Sequence, residues 1–263
     1  MKKRLSILNL SSVILVILIN YASQSLRFNE TTIGEVSNTY FNLFTPAGYA
    51  FAIWGLIFIA LIAYGIFQIR LAYNNENSNP LIEQTSYWFI AANLLNCMWV
   101  FAFSFDYTGL SVLIMLGILI CLLQIIVKTN MNQKPTTRSI KLFGWLPIGM
   151  YSGWISVATI ANIAAYFSKL NWNGAPFSEV QWTIIMIVIA TIVNVYMLWK
   201  RNSYVFAMVG VWALVAIYVR HSSEINPIAT VALICAILLG LLIVIGFIKK
   251  PKMNSISNPT VDH

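Results

Sequence analysis

The stretch YSGWISVATIAN, residues 151–162, carries a tyrosine, a tryptophan, two serines, a threonine and an asparagine inside a long apolar run. Tyr151, Trp154, Ala158 and Asn162 follow steps of three and four residues, so a helix places them on one face. This polar and aromatic face predicts either the wall of an internal cavity or a packed polar seam, and the residues alone leave both open.

A neighbouring face of the same predicted helix carries Ser152, Ser156 and Thr159. Gly149 and Gly153 form a small-x-x-x-small pair beside it. Small residues at this spacing let two helices approach closely inside a membrane. We therefore predict that another helix packs closely against this glycine pair.

The composition places the chain in a lipid bilayer, because 59% of its 263 residues are hydrophobic and only 9% are charged. A helical span takes about 20 apolar residues. Eight runs reach or approach this length: residues 5–22, 48–69, 87–105, 110–127, 142–167, 180–199, 204–219 and 228–248. The runs are continuously apolar, whereas barrel strands alternate in polarity. The predicted fold class is an all-α integral membrane protein with eight transmembrane helices.

The positive charges indicate how the chain is threaded. If the N-terminus is cytoplasmic, only Arg27, Lys169 and Arg220 of the 16 lysines and arginines fall outside the cell. Since cations near helix ends stay in the cytoplasm, this bias predicts that both termini are cytoplasmic. The net charge of +8 then indicates contact with anionic lipid headgroups and not nucleic-acid binding. Helical spans, in place of a barrel, favour the bacterial inner (plasma) membrane.

The N-terminal sequence MKKRLSILNLSSVILVILIN also has the shape of a cleaved signal peptide, a basic start followed by an apolar stretch. Its apolar part is long, and no small-x-small cleavage site follows it. These two features favour a retained first helix.

Several function classes are disfavoured by missing residue types. None of the eight runs contains Asp, Glu, Lys, Arg or His, the groups that proton relays and ion-coupled carriers need. The histidines are His221, expected in a short outer loop, and His263 at the C-terminus, so no metal site and no haem ligation are predicted. Cys97, Cys121 and Cys235 lie within predicted spans and are interpreted as packing residues.

The chain divides into three regions: residues 1–167 with five spans, residues 168–250 with three more, and a polar tail at 251–263 predicted to be disordered. The longest loop, residues 23–48, separates the first two spans, and its length predicts a lid or binding segment.

Thr45 before Pro46 has the pattern of an N-cap followed by proline at the first helical position, which predicts that the second helix starts here.

The third span contains NLLNCMWVFAFSF, residues 93–105, in which Asn93, Asn96 and Trp99 recur every three residues. This spacing places them along one side of a helix. Asparagine in a membrane helix usually bonds to a neighbouring helix, and lining a pocket is the alternative.

These motifs resemble the five-helix TspO/MBR family of tryptophan-rich sensory and translocator proteins, over residues 5–167. The family has a loop ending in Phe-Thr-Pro-Pro-Gly, a tryptophan in helix two, Asn-x-x-Trp in helix three and Tyr-x-x-Trp-x-x-x-Ala-Thr-x-x-Asn in helix five. This chain supplies FTPAG at 44–48, Trp54, NCMW at 96–99, and Tyr151, Trp154, Ala158, Thr159 and Asn162. Ala47 replaces the second proline, the loop is shortened, and the last three spans have no counterpart in the five-helix pattern.

The resemblance implies that the first five spans form a TspO-like five-helix bundle. It also implies a pocket inside this bundle, covered by the loop, that binds a flat hydrophobic ligand such as a porphyrin. It implies eight ligand-binding residues: Tyr40, Trp54, Asn96, Trp99, Tyr151, Trp154, Ala158 and Asn162. No cofactor is required, and a tetrapyrrole, protoporphyrin or haem, is the implied ligand. Porphyrin breakdown ascribed to some relatives leaves an enzymatic activity open, and the dimers formed by relatives imply a homodimer. Sterol binding is not carried over, because Ile163, Tyr166 and Lys169 fit the sterol pattern poorly.

Two functions of different classes follow. The first is a membrane sensor or binding protein for a tetrapyrrole or a similar hydrophobic molecule, with the bilayer as its other partner. The second is an uncoupled transporter or channel whose eight helices enclose a pathway. A membrane scaffold without a ligand is the third and plainest interpretation.

Overall fold

The computed structural model describes residues 1–74, 80–172 and 174–249. Within them the chain forms ten α-helices: α1 (Lys2–Ser25), α2 (Ile33–Thr39), α3 (Ile53–Tyr73), α4 (Leu81–Thr85), α5 (Trp88–Ser104), α6 (Thr108–Lys128), α7 (Leu146–Lys169), α8 (Glu179–Arg201), α9 (Tyr204–His221) and α10 (Asn226–Lys249). Seven of the apolar helices are long enough to span a membrane, and α5 is a shorter apolar one. Each of the eight predicted spans forms an apolar helix, so the predicted all-α membrane fold is confirmed. The predicted tail, residues 251–263, lies outside the described residues.

Local sequence explains where two of the helices begin. Thr32 accepts a hydrogen bond from the Glu35 backbone N–H, and the Glu35 carboxylate accepts one from the Thr32 backbone, so α2 opens with a capping box. Ser178 and Gln181 form the same arrangement at the start of α8. Helix α2 lies within the long loop, which is thus partly helical.

The helices pack in an order that places α7 at the junction of two groups. Helix α1 packs against α3 and α5, and α5, α6 and α7 follow one another. Helix α9 packs on α7 and is flanked by α8 and α10. One hydrophobic cluster lies mainly among the first five spans and a second mainly among the last three, so the α7–α9 contact joins them.

The close helix approach predicted at the glycine pair is confirmed, and the partner is α9. A Cβ atom added to Gly153 would lie 3.1 Å from the Phe206 carbonyl oxygen and 3.1 Å from Val209 Cβ. One added to Gly149 would lie 3.3 Å from Val205. Ser152, Ser156 and Thr159 bond back to carbonyls of α7 itself, as hydroxyls in membrane helices commonly do.

The predicted helix start at Thr45 and Pro46 is wrong. The chain passes through a 3-10 turn, Gly48–Ala52, before α3 begins at Ile53. The Thr45 hydroxyl donates to Asn42 Oδ1, and the Thr45 carbonyl accepts from Arg220. The Ala47 N–H donates to the Ala216 carbonyl. Because these groups bond to the preceding loop and to α9, Thr45 does not cap α3.

The bundle has two distinct ends. One, called the loop end, gathers residues 26–52 with the connections after α5, α7 and α9: Asn29 donates to the Ser104 carbonyl, and Ser168 to that of Phe41. The other, called the basic end, carries Lys2 beside Glu83 and Lys128 over the Trp88 ring.

His221 was expected in an outer loop, but it is the last residue of α9 and is buried. Its Nε2 atom contacts the Leu43 carbonyl oxygen at 2.8 Å.

Candidate functional site

A cavity of about 710 Å³, here called the outer cavity, lies at the loop end between α1, α2 and the first turns of α3. Its walls combine aromatic and polar side chains with the backbone of the FTPAG segment. They are formed by Ile17, Asn20, Tyr21, Gln24, Ile33, Gly34, Ser37, Asn38, Thr45, Pro46, Ala47, Gly48, Phe51, Trp54, Phe58 and Arg220. Arg220 comes from α9, so the last three helices also contribute to this cavity.

A smaller cavity of about 60 Å³, here called the inner cavity, lies deeper among α5, α6 and α7. Trp99, Phe103, Met115, Trp154, Val157, Ala158, Ala161, Asn162 and Ala165 line it on the bundle side. Its remaining wall is shared with the outer cavity: Ile33, Ser37, Thr45, Pro46, Phe51 and Trp54. The inner cavity is therefore much smaller than the outer cavity.

The eight predicted ligand-binding residues fall into three places. Trp54 lines both cavities. Trp99, Trp154, Ala158 and Asn162 line the inner cavity. Asn96 and Tyr151 are buried beside these cavities, and Tyr40 lies at the rim of the loop end.

Asn96 and Tyr151 belong to a hydrogen-bonded chain between three helices. Asn20 Nδ2 of α1 donates to Asn96 Oδ1 at 3.2 Å, and Asn96 Nδ2 donates to the Tyr151 hydroxyl at 3.0 Å. The Tyr151 ring lies 6.0 Å from the Trp54 ring in an edge-on arrangement. Since Asn20 and Trp54 both line the outer cavity, Asn96 and Tyr151 position two of its wall residues from behind.

Trp99 and Asn162 are also paired. Trp99 Nε1 donates to Asn162 Oδ1 at 3.1 Å, and Asn162 Nδ2 donates to Ser111 Oγ at 2.9 Å. Asn93 likewise donates to Ser12 of α1. The asparagines of α5 and α7 therefore form the interhelical bonds expected of them, and Asn162 does so at the edge of the inner cavity.

Trp154 differs from the other tryptophans of the site. Its side chain is 2% exposed, and its indole N–H has no hydrogen-bond partner among the described residues. The ring lies edge-on to Phe51 at 5.9 Å, across the wall between the two cavities. A buried donor without a partner is costly, so an acceptor from water or a ligand would stabilise this arrangement.

Tyr40 lies outside both cavities, in a cluster with Asp106 and Lys169. Lys169 Nζ is 2.8 Å from Asp106 Oδ2 and 5.5 Å from the centre of the Tyr40 ring. Partial burial opposes ionisation of Asp106, but hydrogen bonds from Lys169 and Tyr40 outweigh it and hold the pKa of this carboxyl below its ordinary value. Tyr40 thus contributes to closing the loop end and is not a wall of either cavity.

Helix α9 contacts the FTPAG segment and the 3-10 turn that follows it, in an arrangement that the sequence did not predict, and these contacts are here called the α9 clamp. Arg220 donates to the Thr45 carbonyl at 2.6 Å, and Trp212 Nε1 to the Ala50 carbonyl at 3.1 Å. The Ala47 N–H donates to the Ala216 carbonyl at 3.1 Å. Arg220 and His221 at the end of an apolar run indicated polar contacts at this end of the helix. The sequence did not show which residues they contact.

Replacing Asn162 by alanine is expected to lower the free energy of unfolding by about 1–2 kcal/mol, because the buried Trp99 N–H loses its acceptor. Thermal unfolding in detergent measures this cost. In a Trp99→Phe background the donor is already gone, so the same substitution should cost less. An equal cost in both backgrounds would assign the effect to the Ser111 contact alone.

These features define a class of protein: an all-α integral membrane protein with aromatic cavities under a loop at one end of the bundle. The sequence profile of the family described as TSPO-like protein matches residues 6–245, and the chain belongs to this family. The match includes α8, α9 and most of α10, beyond the region of residues 5–167 that carries the motifs. Comparisons with curated proteins and with solved structures found no match. No group of three potential metal-ligating side chains occurs in the described ranges.

Proposed function

We propose that this protein is a membrane sensor or binding protein that takes a porphyrin, or a similar flat hydrophobic molecule, in the outer cavity. The observation that carries the proposal is Trp54, which stands in the wall between the two cavities and faces both. An indole in that position offers a planar surface on which a flat ring system stacks. Membership of the TSPO-like family supports the proposal, because the resemblance described in the sequence analysis implies a tetrapyrrole ligand.

The size and the surface of the outer cavity suit this ligand class. Binding cavities for molecules of drug size are about 300–1,000 Å³ and mostly apolar with a few polar groups. The outer cavity has about 710 Å³, with Trp54, Phe51 and Phe58 as aromatic walls. Trp54 already stacks on Phe58, with ring centres 5.3 Å apart. A ligand ring in the outer cavity would extend this stack.

The inner cavity takes no part in binding unless its wall moves. At about 60 Å³ it is too small for a porphyrin, and Pro46, Phe51 and Trp54 separate it from the outer cavity. The unpartnered Trp154 N–H would gain an acceptor if that wall opened and a polar edge of the ligand reached it. The proposal therefore assigns first contact to Trp54 and only a later contact to Trp154.

The proposal places the outer cavity on the non-cytoplasmic side of a bacterial plasma membrane. Arg27, Lys169 and Arg220 are the lysines and arginines of the loop end, whereas the basic end carries clusters such as Lys2, Lys3 and Arg4. Retention of cations in the cytoplasm puts the basic end inside. A ligand would then be sensed from outside the cell or from the outer leaflet.

Titration with protoporphyrin IX tests the proposal. In lipid nanodiscs, the porphyrin is expected to quench the tryptophan fluorescence of the wild type, and its own absorption band should shift relative to empty nanodiscs. Trp54→Phe combined with Trp154→Phe should weaken binding at least about fivefold, since both indoles are lost at the cavity walls. Trp199→Phe, at the exposed basic end, is the matched control. Absence of a shift, or equal binding by the double variant, would refute the proposal.

A further inference from the structure

The side chain of Arg220 is the one charged group among the described residues that line the outer cavity. It comes from the last turn of α9 and is half-buried. The guanidinium carbon lies 4.6 Å from the centre of the Phe41 ring, and Nη1 donates to the Thr45 carbonyl at 2.6 Å. The ring and the carbonyl hold the guanidinium at the cavity wall.

This cation has no ion-pair partner in the part of the chain that the structure describes. The salt bridges there join Lys2 to Glu83, Arg27 to Glu35 and Lys169 to Asp106. Glu224, one turn beyond Arg220, is exposed and forms no salt bridge with it, so its charge acts on the guanidinium only from a distance. A guanidinium has five N–H donors, and a neutral carbonyl satisfies one of them here. The remaining donors are available to an acceptor in the cavity.

The other walls of the cavity divide by polarity. Phe51, Trp54 and Phe58 are aromatic, whereas Asn20, Gln24, Ser37 and Asn38 are polar and uncharged. No carboxylate lines the cavity within the described residues, so nothing in its walls repels an anion or competes for Arg220. A molecule that matches this surface has a flat apolar body and a negatively charged edge.

We propose that Arg220 binds a carboxylate of the ligand while the apolar ring system lies against Trp54, so that the outer cavity selects flat amphipathic anions over neutral hydrophobic molecules. This inference rests on the proposed function and adds the charge of the ligand to it. It also gives α9 a direct role in recognition. Arginine suits that role because its planar fork pairs with both oxygens of a carboxylate, and partial burial strengthens the pair.

The test compares protoporphyrin IX, which carries two carboxylates, with its dimethyl ester, which has the same ring system and no charge. Both are titrated into the full chain in phosphatidylcholine nanodiscs and corrected with empty nanodiscs. The wild type should bind the free acid about 10-fold or more tightly than the ester, as charge-assisted hydrogen bonds imply. Arg220→Gln should bring this ratio close to one, and Arg220→Lys should keep part of it.

The ester also controls for structural damage. Loss of the Thr45 contact in Arg220→Gln could disturb the FTPAG segment, but that would weaken acid and ester together and leave their ratio unchanged. Arg27→Gln is the matched control, because Arg27 is an exposed arginine of the loop end that pairs with Glu35 outside the cavity. It should keep the wild-type ratio.

The outcomes separate this inference from the proposed function. If neither porphyrin binds, the proposed function fails and the inference fails with it. If acid and ester bind equally to the wild type, or if Arg220→Gln keeps the preference, this inference alone is wrong. A repeat with phosphatidylglycerol nanodiscs tests whether an anionic phospholipid headgroup, and not the ligand, binds Arg220. If that lipid abolishes the acid preference of the wild type, a phospholipid headgroup occupies Arg220 and the ligand carboxylate does not.

Discussion

Replacing Gly153 by leucine is expected to separate α9 from α7 and to lower the free energy of unfolding by about 3 kcal/mol. Even a single added Cβ atom would lie 3.1 Å from the Phe206 carbonyl oxygen and 3.2 Å from Phe206 Cα. These are backbone atoms that cannot rotate away, so the whole of α9 must shift. Thermal unfolding of the purified protein in detergent measures the loss.

Gly240→Leu is the matched control for this substitution. It is also a glycine inside a long membrane helix, but a Cβ atom added there meets nothing within 4 Å. Its unfolding temperature should stay close to that of the wild type. Because α9 carries the α9 clamp, Gly153→Leu should also weaken porphyrin binding. Equal unfolding temperatures for the two variants would mean that the α7–α9 contact is not close in solution.

Replacing Trp54 by alanine is expected to weaken protoporphyrin IX binding about 30-fold, equivalent to about 2 kcal/mol, because the ring in the shared wall is removed. Trp54→Phe keeps an aromatic surface and should lose less. Absorption titration in nanodiscs gives both dissociation constants. Trp199→Ala, whose indole is 69% exposed at the basic end, should bind like the wild type.

The variant Trp154→Phe tests whether the ligand stays in the outer cavity or also reaches the inner one. Trp154 lines only the inner cavity, so its loss should change affinity less than threefold if the ligand stays in the outer cavity. A loss as large as that of Trp54→Ala would contradict this placement and would mean that the wall formed by Pro46 and Phe51 opens on binding. Unfolding temperatures must be compared in parallel, since Trp54 also packs on Phe58 and Tyr151.

The membrane helices could be predicted from the sequence because each span satisfies a local rule, a long apolar run between charged or polar ends. The close contact at Gly149 and Gly153 was predictable for the same reason, since the spacing of small residues is local. The identity of the partner was not, because α9 lies more than 50 residues further along the chain and many apolar helices offer a similar surface.

The site was harder to predict than the fold. The periodicity of α7 places Trp154, Ala158 and Asn162 together at the inner cavity, but it does not give the volume of that cavity. It also does not show that Tyr151 bonds to Asn96 instead of facing a ligand. Arg220 joins the outer cavity through a contact with Thr45, 175 positions away. Such contacts depend on how all the helices assemble and leave no periodic signal.

The hydrogen bond from Ala47 to α9 changes the meaning of one departure from the five-helix pattern. That pattern has proline where this chain has Ala47, and proline has no backbone N–H. Here the Ala47 N–H donates to the Ala216 carbonyl. A proline at this position could not make this bond. Ala47 therefore permits a hydrogen bond between the loop and α9 that the five-helix pattern does not allow. In related sequences the residue at this position should indicate whether the three extra helices are attached to the loop.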